Sequence, residues 1–283
     1  MENPLSSVSD SLRMVLIGKT GVGKSAVGNT ILMEKLFHSS VCAASVTTVC
    51  KRGTGKVQGQ KLEVIDTPGL FDINLSQEKL AAEIAKWFAY AAPGPHVFLI
   101  ILKADRFTKE EEETVKILQE LFGEQAAHYT MTLFTYGDDL EADGVAIENV
   151  IRENKDLSDF LDQCKGGNHV FNNRNEDPAQ VHELLDKINT MVERNGGSYY
   201  TNEMFQEAEK AVEKRMNELL MDKPQRDRDD ARTEAKEYVA GNGNVSLVLS
   251  GAIVGGCIGA IVGIIGVAAG PIGAGEDPLR DRS

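Results

Sequence analysis

Apolar residues in this chain come in short runs separated by polar and glycine-rich breaks, and the period of the runs alternates. Met14-Val15-Leu16-Ile17 is an apolar run between Arg13 and Gly18 and reads as a short buried strand. A helix is expected from Ala26 to Met33. Lys61-Leu62-Glu63-Val64-Ile65 alternates polar and apolar up to Asp66, the pattern of a strand with one more exposed face. Lys51 to Val57 can pair with it through a turn at Gly59. Gln77 to Tyr90 places Leu80, Ile84 and Trp87 on one side of a helix that stops before Pro93-Gly94-Pro95. Val97 to Leu102 is continuously apolar, which marks a central parallel strand buried on both faces.

Thr108 is the expected N-cap of a further helix, with Glu111 at the capping-box position and Val115, Leu118 and Phe122 on its buried side. Then follow a strand at Thr130 to Phe134, a helix from about Val145 to Cys164, a short strand near Asn168 to Phe171, and a helix from Pro178 to Val192. Strand and helix alternate, and right-handed crossovers turn that order into a three-layer α/β sandwich with a mostly parallel sheet.

After Gly196-Gly197 the pattern changes. Met204, Phe205, Ala208, Val212, Met216 and Leu219 recur on one helical face, against Glu203, Glu207, Lys210 and Glu213 on the other. Residues 199–221 therefore form an amphipathic helix expected to dock on the sandwich. Residues 222–244 are densely charged and read as a linker or solvated helix. From Val245 to Gly275 there is no charged side chain over 31 residues, and about 20 suffice to cross a bilayer. Gly251, Gly255, Gly259 and Gly263 share one face there, the small-xxx-small spacing of close helix packing in membranes. The expected order is a disordered polar stretch 1–11, the sandwich 12–198, the amphipathic extension 199–221, the charged linker 222–244, a glycine-rich membrane segment 245–275 and a polar tail 276–283.

Composition narrows the partners. A net charge of −13 over 283 residues makes a nucleic-acid backbone an unfavourable ligand. Cys42, Cys50, Cys164 and Cys257 form no C-x-x-C pair and read as reduced thiols. The polar N-terminus shows no secretory signal pattern.

The chemistry concentrates in Gly18-Lys19-Thr20-Gly21-Val22-Gly23-Lys24-Ser25, which fits G-x-x-x-x-G-K-[ST] between the first strand and the following helix. Backbone N–H groups of this loop and of Ala26 at the helix start would surround nucleotide phosphates. Lys24 would reach the β- and γ-phosphates, and Ser25 would hold Mg²⁺. Asp66-Thr67-Pro68-Gly69 closes a strand downstream. Asp66 is placed to hold the metal's hydration shell, and the Gly69 N–H to meet a γ-phosphate. Such a pair of motifs admits ATP and GTP. Guanine offers two donors to one carboxylate, and Thr135-Tyr136-Gly137-Asp138-Asp139-Leu140 supplies carboxylates directly after a strand. Phe171-Asn172-Asn173-Arg174 supplies amides after the next.

GKTGVGKSAVGNTIL, SVTTVC, DTPGLFD, HVFLIILKADRFTKEEE, FTYGDDL and FNNR occur in that order. With them the chain resembles the immunity-associated GTPases of the AIG1 type, known in vertebrates as the GIMAP family, over residues 13 to about 221. The resemblance implies a P-loop GTPase sandwich that binds GTP or GDP with Mg²⁺. It matches Thr47 to the switch I threonine that meets metal, with Thr48 adjacent and equally able. It matches Asp66 and Gly69 to switch II, Asp139 to the base-reading aspartate, and Asn172 and Asn173 to the last guanine loop. Gly137 stands where a general GTPase has the lysine that stacks under the base. The resemblance further implies association with related G domains through the nucleotide face, and anchoring on the cytoplasmic side of endoplasmic reticulum, lysosome or lipid droplet.

Leu70 occupies the place where small switch GTPases orient water with glutamine, so the isolated domain is expected to be slow. Arg106, in the loop after the Val97–Leu102 strand, lies at the sheet edge where nucleotides sit. By resemblance it faces a partner subunit and can act in trans. Two readings follow: a switch that assembles in the GTP state and hydrolyses slowly, and a hydrolysis-poor GTP-dependent membrane scaffold.

The uncharged tail carries its own test. The full chain is expected to pellet with membranes and resist carbonate extraction, and a chain lacking the tail to remain in the supernatant. Release of the intact chain at high pH would exclude insertion.

Overall fold

The computed structural model describes residues 11–39, 49–68, 77–104, 107–108, 111, 118–119 and 122–241. Six strands build one sheet: β1 (Leu12–Ile17), β2 (Lys51–Val57), β3 (Gln60–Asp66), β4 (Val97–Lys103), β5 (Thr130–Thr135) and β6 (Asn168–Val170), in the order β2-β3-β1-β4-β5-β6. Among the described residues only the β2–β3 pair, joined through Gly59, is antiparallel. Met14–Ile17 of β1 and Val97–Leu102 of β4 are continuously apolar because helices cover both faces of the central strands. Met14 and Leu16 enter one core, and Val15 and Ile17 the other. The edge strand β2 instead alternates exposed and covered positions.

One outer layer holds α1 (Lys24–Leu32) and, as α6, the helix Ala179–Arg194. Val27, Ile31, Leu184 and Ile188 pack there on Leu16, Leu99 and Met131. The opposite layer is built on α2 (Gln77–Ala91) and an aromatic cluster. Trp87 lies edge-on to Phe122 at 5.3 Å between centroids, and Phe88 edge-on to Phe205 at 4.6 Å, arrangements that add to plain burial. Phe205 belongs to α7 (Glu203–Asp222), the expected amphipathic helix. It docks through Met204, Phe205, Ala208, Val212 and Met216.

Two expectations change. The stretch from Val145 to Cys164 is two helices, α4 (Ile147–Glu153) and α5 (Lys155–Gln163). Asn154 between them is extended at φ −118° and ψ 101°, and its side chain accepts from Leu157 N at 3.1 Å. That bond makes it the N-cap of a second helix rather than the interior of one. Between β5 and α4, Asp138 and Asp139 lie in a short helix, α3 (Gly137–Asp143).

Residues 222–244, read as a linker, contain α8 (Arg228–Gly241), which is docked rather than solvated. Asp227 Oδ1 accepts from Asp229 N at 2.8 Å and starts the helix. Ala231, Ala235 and Ala240 are buried and small enough for close approach to α7 and α2. Among the described residues no helix is long and apolar enough to cross a membrane. The segment 245–275 lies outside them.

α8 also buries a charge. Lys236, 1% exposed, donates to Glu63 Oε2 of β3 at 2.9 Å, and Arg52 Nε of β2 reaches the same oxygen at 2.9 Å. Ser11 Oγ bonds the other carboxylate oxygen. Burial pushes the Glu63 carboxyl up, but the two cations and their hydrogen bonds outweigh it and hold the group well below the usual carboxylate range. A carboxylate so lowered stabilises the fold above its unfolded value and loses that contribution as pH falls towards its folded one. Glu63→Gln strands two buried cations. It should cost about 3–5 kcal/mol in urea unfolding at pH 7 and flatten the acid side of the stability–pH curve.

Candidate nucleotide-binding site

The loop between β1 and α1 is shaped by close approach. A Cβ on Gly18 would lie 2.6 Å from Ile101 O of β4, so only glycine lets the chain pass there. Gly23, left-handed at φ 97° and ψ 19°, is the N-cap of α1 and brings no side-chain cap. The first-turn N–H groups of Ser25 and Ala26 are therefore offered to an anion, with the positive helix end behind them. Lys24 is buried, its ammonium donating to Gly18 O at 2.9 Å and Lys19 O at 2.8 Å. It lies over the loop whose N–H groups would hold the phosphates.

Parallel pairing brings β3 beside β1 with Leu16 opposite Asp66. Ser25 Oγ consequently donates to Asp66 Oδ2 at 2.6 Å. Asp66 is buried, and its second oxygen, Oδ1, has no hydrogen-bond partner among the described residues. Burial raises its pKa, against the Ser25 hydrogen bond and the charges of Lys24 and Lys51. A hydroxyl and a buried carboxylate with an unmatched oxygen form an all-oxygen donor set that fits Mg²⁺. Next to Asp66, Thr67 Oγ1 donates to Leu16 O at 2.6 Å and pins the start of the Asp-Thr-Pro-Gly segment to β1.

Two contacts were not anticipated. Thr135 Oγ1, at the end of β5, donates to Val22 O at 2.8 Å and fixes the far side of the phosphate loop. A hydroxyl at the carboxyl end of a strand near the motif was the available signal. Lys19 Nζ donates to Thr108 Oγ1 at 2.5 Å, so that side chain ties the loop to the next helix start rather than pointing at phosphate. Thr108 N donates to Glu111 Oε2 at 2.7 Å, the expected capping-box contact.

The two loops expected to read the base lie against each other. Gly137 N donates to Phe171 O at 3.0 Å, coupling the start of α3 to the loop after β6. Asp138 faces Arg174 Nη1 at 2.8 Å. Asp139 is exposed, and its side chain makes no hydrogen bond or ion pair among the described residues. Asn172 and Asn173 diverge. Asn173 Oδ1 accepts from Thr30 Oγ1 of α1 at 2.9 Å, beside the phosphate loop. Asn172 Oδ1 accepts from Arg174 N at 3.0 Å and Asn175 N at 3.2 Å, and so shapes its own loop. Thr20, Gly21 and Val22 lie in the loop itself; Thr47, Gly69 and Arg106 lie outside the described residues.

The arrangement predicts a graded response. Lys24→Ala should abolish tight GTP and GDP binding in calorimetry, because the cation beside the β-phosphate is gone. Ser25→Asn should weaken triphosphate binding more than diphosphate binding. Unchanged affinity in the Lys24 variant would remove the assignment.

The AIG1 family model matches residues 12–219. Immune-associated nucleotide-binding protein 8 of Arabidopsis thaliana is 39% identical over 202 residues, covering 68% of this chain and 57% of that protein. GTPase IMAP family member 8 of Homo sapiens is 36% identical over 195 residues, 68% of this chain and 29% of that protein. The chain thus spans less than two thirds of these relatives' own length. Among solved structures, Toc33 from Arabidopsis thaliana in complex with GDP and Mg²⁺ superposes with a TM-score of 0.51 at 18% identity, over 65% of this chain and 85% of that one. That likeness concerns the fold, a P-loop GTPase α/β sandwich. With the matched model covering most of its length, the chain belongs to the AIG1 family.

Proposed function

We propose that this chain is a guanine-nucleotide switch that binds GTP and GDP with Mg²⁺ and hydrolyses GTP slowly, with faster turnover when two G domains pair. The observation that carries the reading is the Ser25–Asp66 pair beside buried Lys24, with Asp66 Oδ1 buried and unmatched among the described residues. Toc33, which shares the fold, was solved with GDP and Mg²⁺. A further structure of that fold concerns the importance of dimerization for the GTPase activity of atToc33 and psToc159. Both facts support the reading without belonging to this chain.

Hydrolysis adds water to the γ-phosphorus and breaks its bond to the β–γ bridging oxygen, with the water proton ending on the released phosphate. Lys24 would leave the loop carbonyls for the β- and γ-oxygens, where it offsets charge on the leaving diphosphate. Ser25 and Thr47 would hold Mg²⁺ with Asp66 on its hydration shell, and the ion would supply neutralisation of phosphate charge. The Gly69 N–H would meet the γ-phosphate, and Asp138 or Asp139 would read guanine together with Asn173. Leu70 cannot orient water. The missing catalysis is assigned to Arg106 of a paired subunit, approaching through the nucleotide face. The apolar segment 245–275 would place this switch on the cytoplasmic face of an intracellular membrane.

Arg106→Ala tests the division of labour. GTP affinity and the GTP-bound dimer should stay intact, while the assembly-dependent rate falls at least about tenfold, the lower end for a supplied arginine. Single-turnover hydrolysis at concentrations where sedimentation shows dimer is the direct measurement. A wild-type rate there would exclude the arginine. Assembly in GTP with a flat, near-zero rate in the unmutated chain would favour the scaffold.

A further inference from the structure

The base-reading segment lacks the lysine of the general pattern, and the packing around Gly137 crowds any side chain placed there. A Cβ there would lie 3.0 Å from Val170 Cγ1 and 3.1 Å from Phe171 O, and the Gly137 N–H is already bonded to that carbonyl. The platform under the base has to come from a neighbour. Tyr136 precedes Gly137 in the left-handed conformation, φ 62° and ψ 38°, which is rare for a bulky residue and concentrates at functional sites. Its ring is half-buried. Lys103, the last residue of β4, places Nζ 4.1 Å from the ring centroid.

The position of Tyr136 along the chain is equally informative. The residue before it, Thr135, is bonded to the phosphate loop through Val22 O. The residues after Gly137 are the carboxylates Asp138 and Asp139, in the first turn of α3. Along the chain Tyr136 therefore lies between the anchor of the phosphate loop and the groups that would read guanine. We infer that Tyr136 is the stacking platform for the purine, with Lys103 on the opposite face of its ring. Aromatic surface and cation then come from the end of β4 and the residue after β5 instead of one lysine side chain. The Lys103 contact holds the ring in one orientation by a cation–π interaction, and the base stacks on the other face. The inference rests on the nucleotide reading above and names the side chain that touches the base.

Calorimetry with GDP on the full chain tests it. Tyr136→Ala should weaken GDP binding about tenfold or more, within the range of base–aromatic stacking. Tyr136→Phe should keep wild-type affinity, and Tyr136→Leu, of similar bulk without a π-face, should behave as the alanine variant. Lys103→Met should weaken binding on its own and add little on top of Tyr136→Ala, because both remove one contact. In Tyr136→Trp the added indole emission should fall with GDP and not with inorganic pyrophosphate. Equal GDP affinity of the wild type and the folded Ala and Leu variants would overturn the platform while leaving the nucleotide site in place. An equal drop in Trp emission with pyrophosphate would count against stacking. A wild-type chain that binds no GDP would overturn the nucleotide reading and the platform together.

Discussion

The site depends on the placement of β1 between β3 and β4. Parallel pairing on one side sets Leu16 opposite Asp66, and on the other it sets Leu16 opposite Leu99. The chain leaving β1 thus has a carboxylate on one flank and the β4 backbone on the other. Gly18 passes Ile101 O at a distance that admits no Cβ, and Ser25 meets Asp66 one turn later. If β1 slipped by one residue, its whole apolar set would exchange faces and the phosphate loop would lose its carboxylate. The apolar core and the polar site therefore specify the same register. Burial of Met14, Val15, Leu16 and Ile17 at 0% exposure holds it.

Most of this was legible in the sequence because each signal was local. The apolar run before Gly18, the alternation before Asp66 and the continuous Val97–Leu102 run report burial on one or two faces, and burial follows from hydrophobicity. The phosphate motif and Asp66 were readable because spacing along the chain fixes their place at strand ends. What escaped was non-local or ambiguous. Asn154 is a capping residue inside an otherwise helical pattern, and its side-chain bond to Leu157 N is invisible in composition. Asn172 and Asn173 are identical in type, yet one bonds its own loop and the other bonds α1.

α8 shows the same limit more sharply. Its charges made 222–244 read as solvated, and most of them are indeed exposed. Lys236 is the exception. No local pattern marks one lysine among many as the partner of a glutamate 173 residues earlier. Nor does alternation in β3 reveal that Glu63, apparently a solvent-facing position, is covered by a helix arriving much later. A buried ion pair of this kind adds little net stability against an apolar replacement, but it penalises every other placement of α8. It specifies where the last described helix lies rather than how firmly the chain folds.

The same reasoning applies to the polar groups of the site, since nearly all of them already have partners inside the chain. Lys24 is bonded to two loop carbonyls, Ser25 to Asp66, and Asp138 faces Arg174. A nucleotide has to exchange these contacts for its own, so affinity is the difference between two sets of hydrogen bonds and charges. The exchanges are unequal. Arg174 is 79% exposed, and an ion pair in water contributes at most about 1 kcal/mol, so a guanine can displace it at small cost. The Ser25–Asp66 bond is half-buried on a fully buried carboxylate, and breaking it strands a group whose other oxygen is already unmatched. Only a ligand that arrives with its own cation compensates both oxygens at once, which makes metal and phosphate mutually dependent at this loop while the base contacts stay separately tunable.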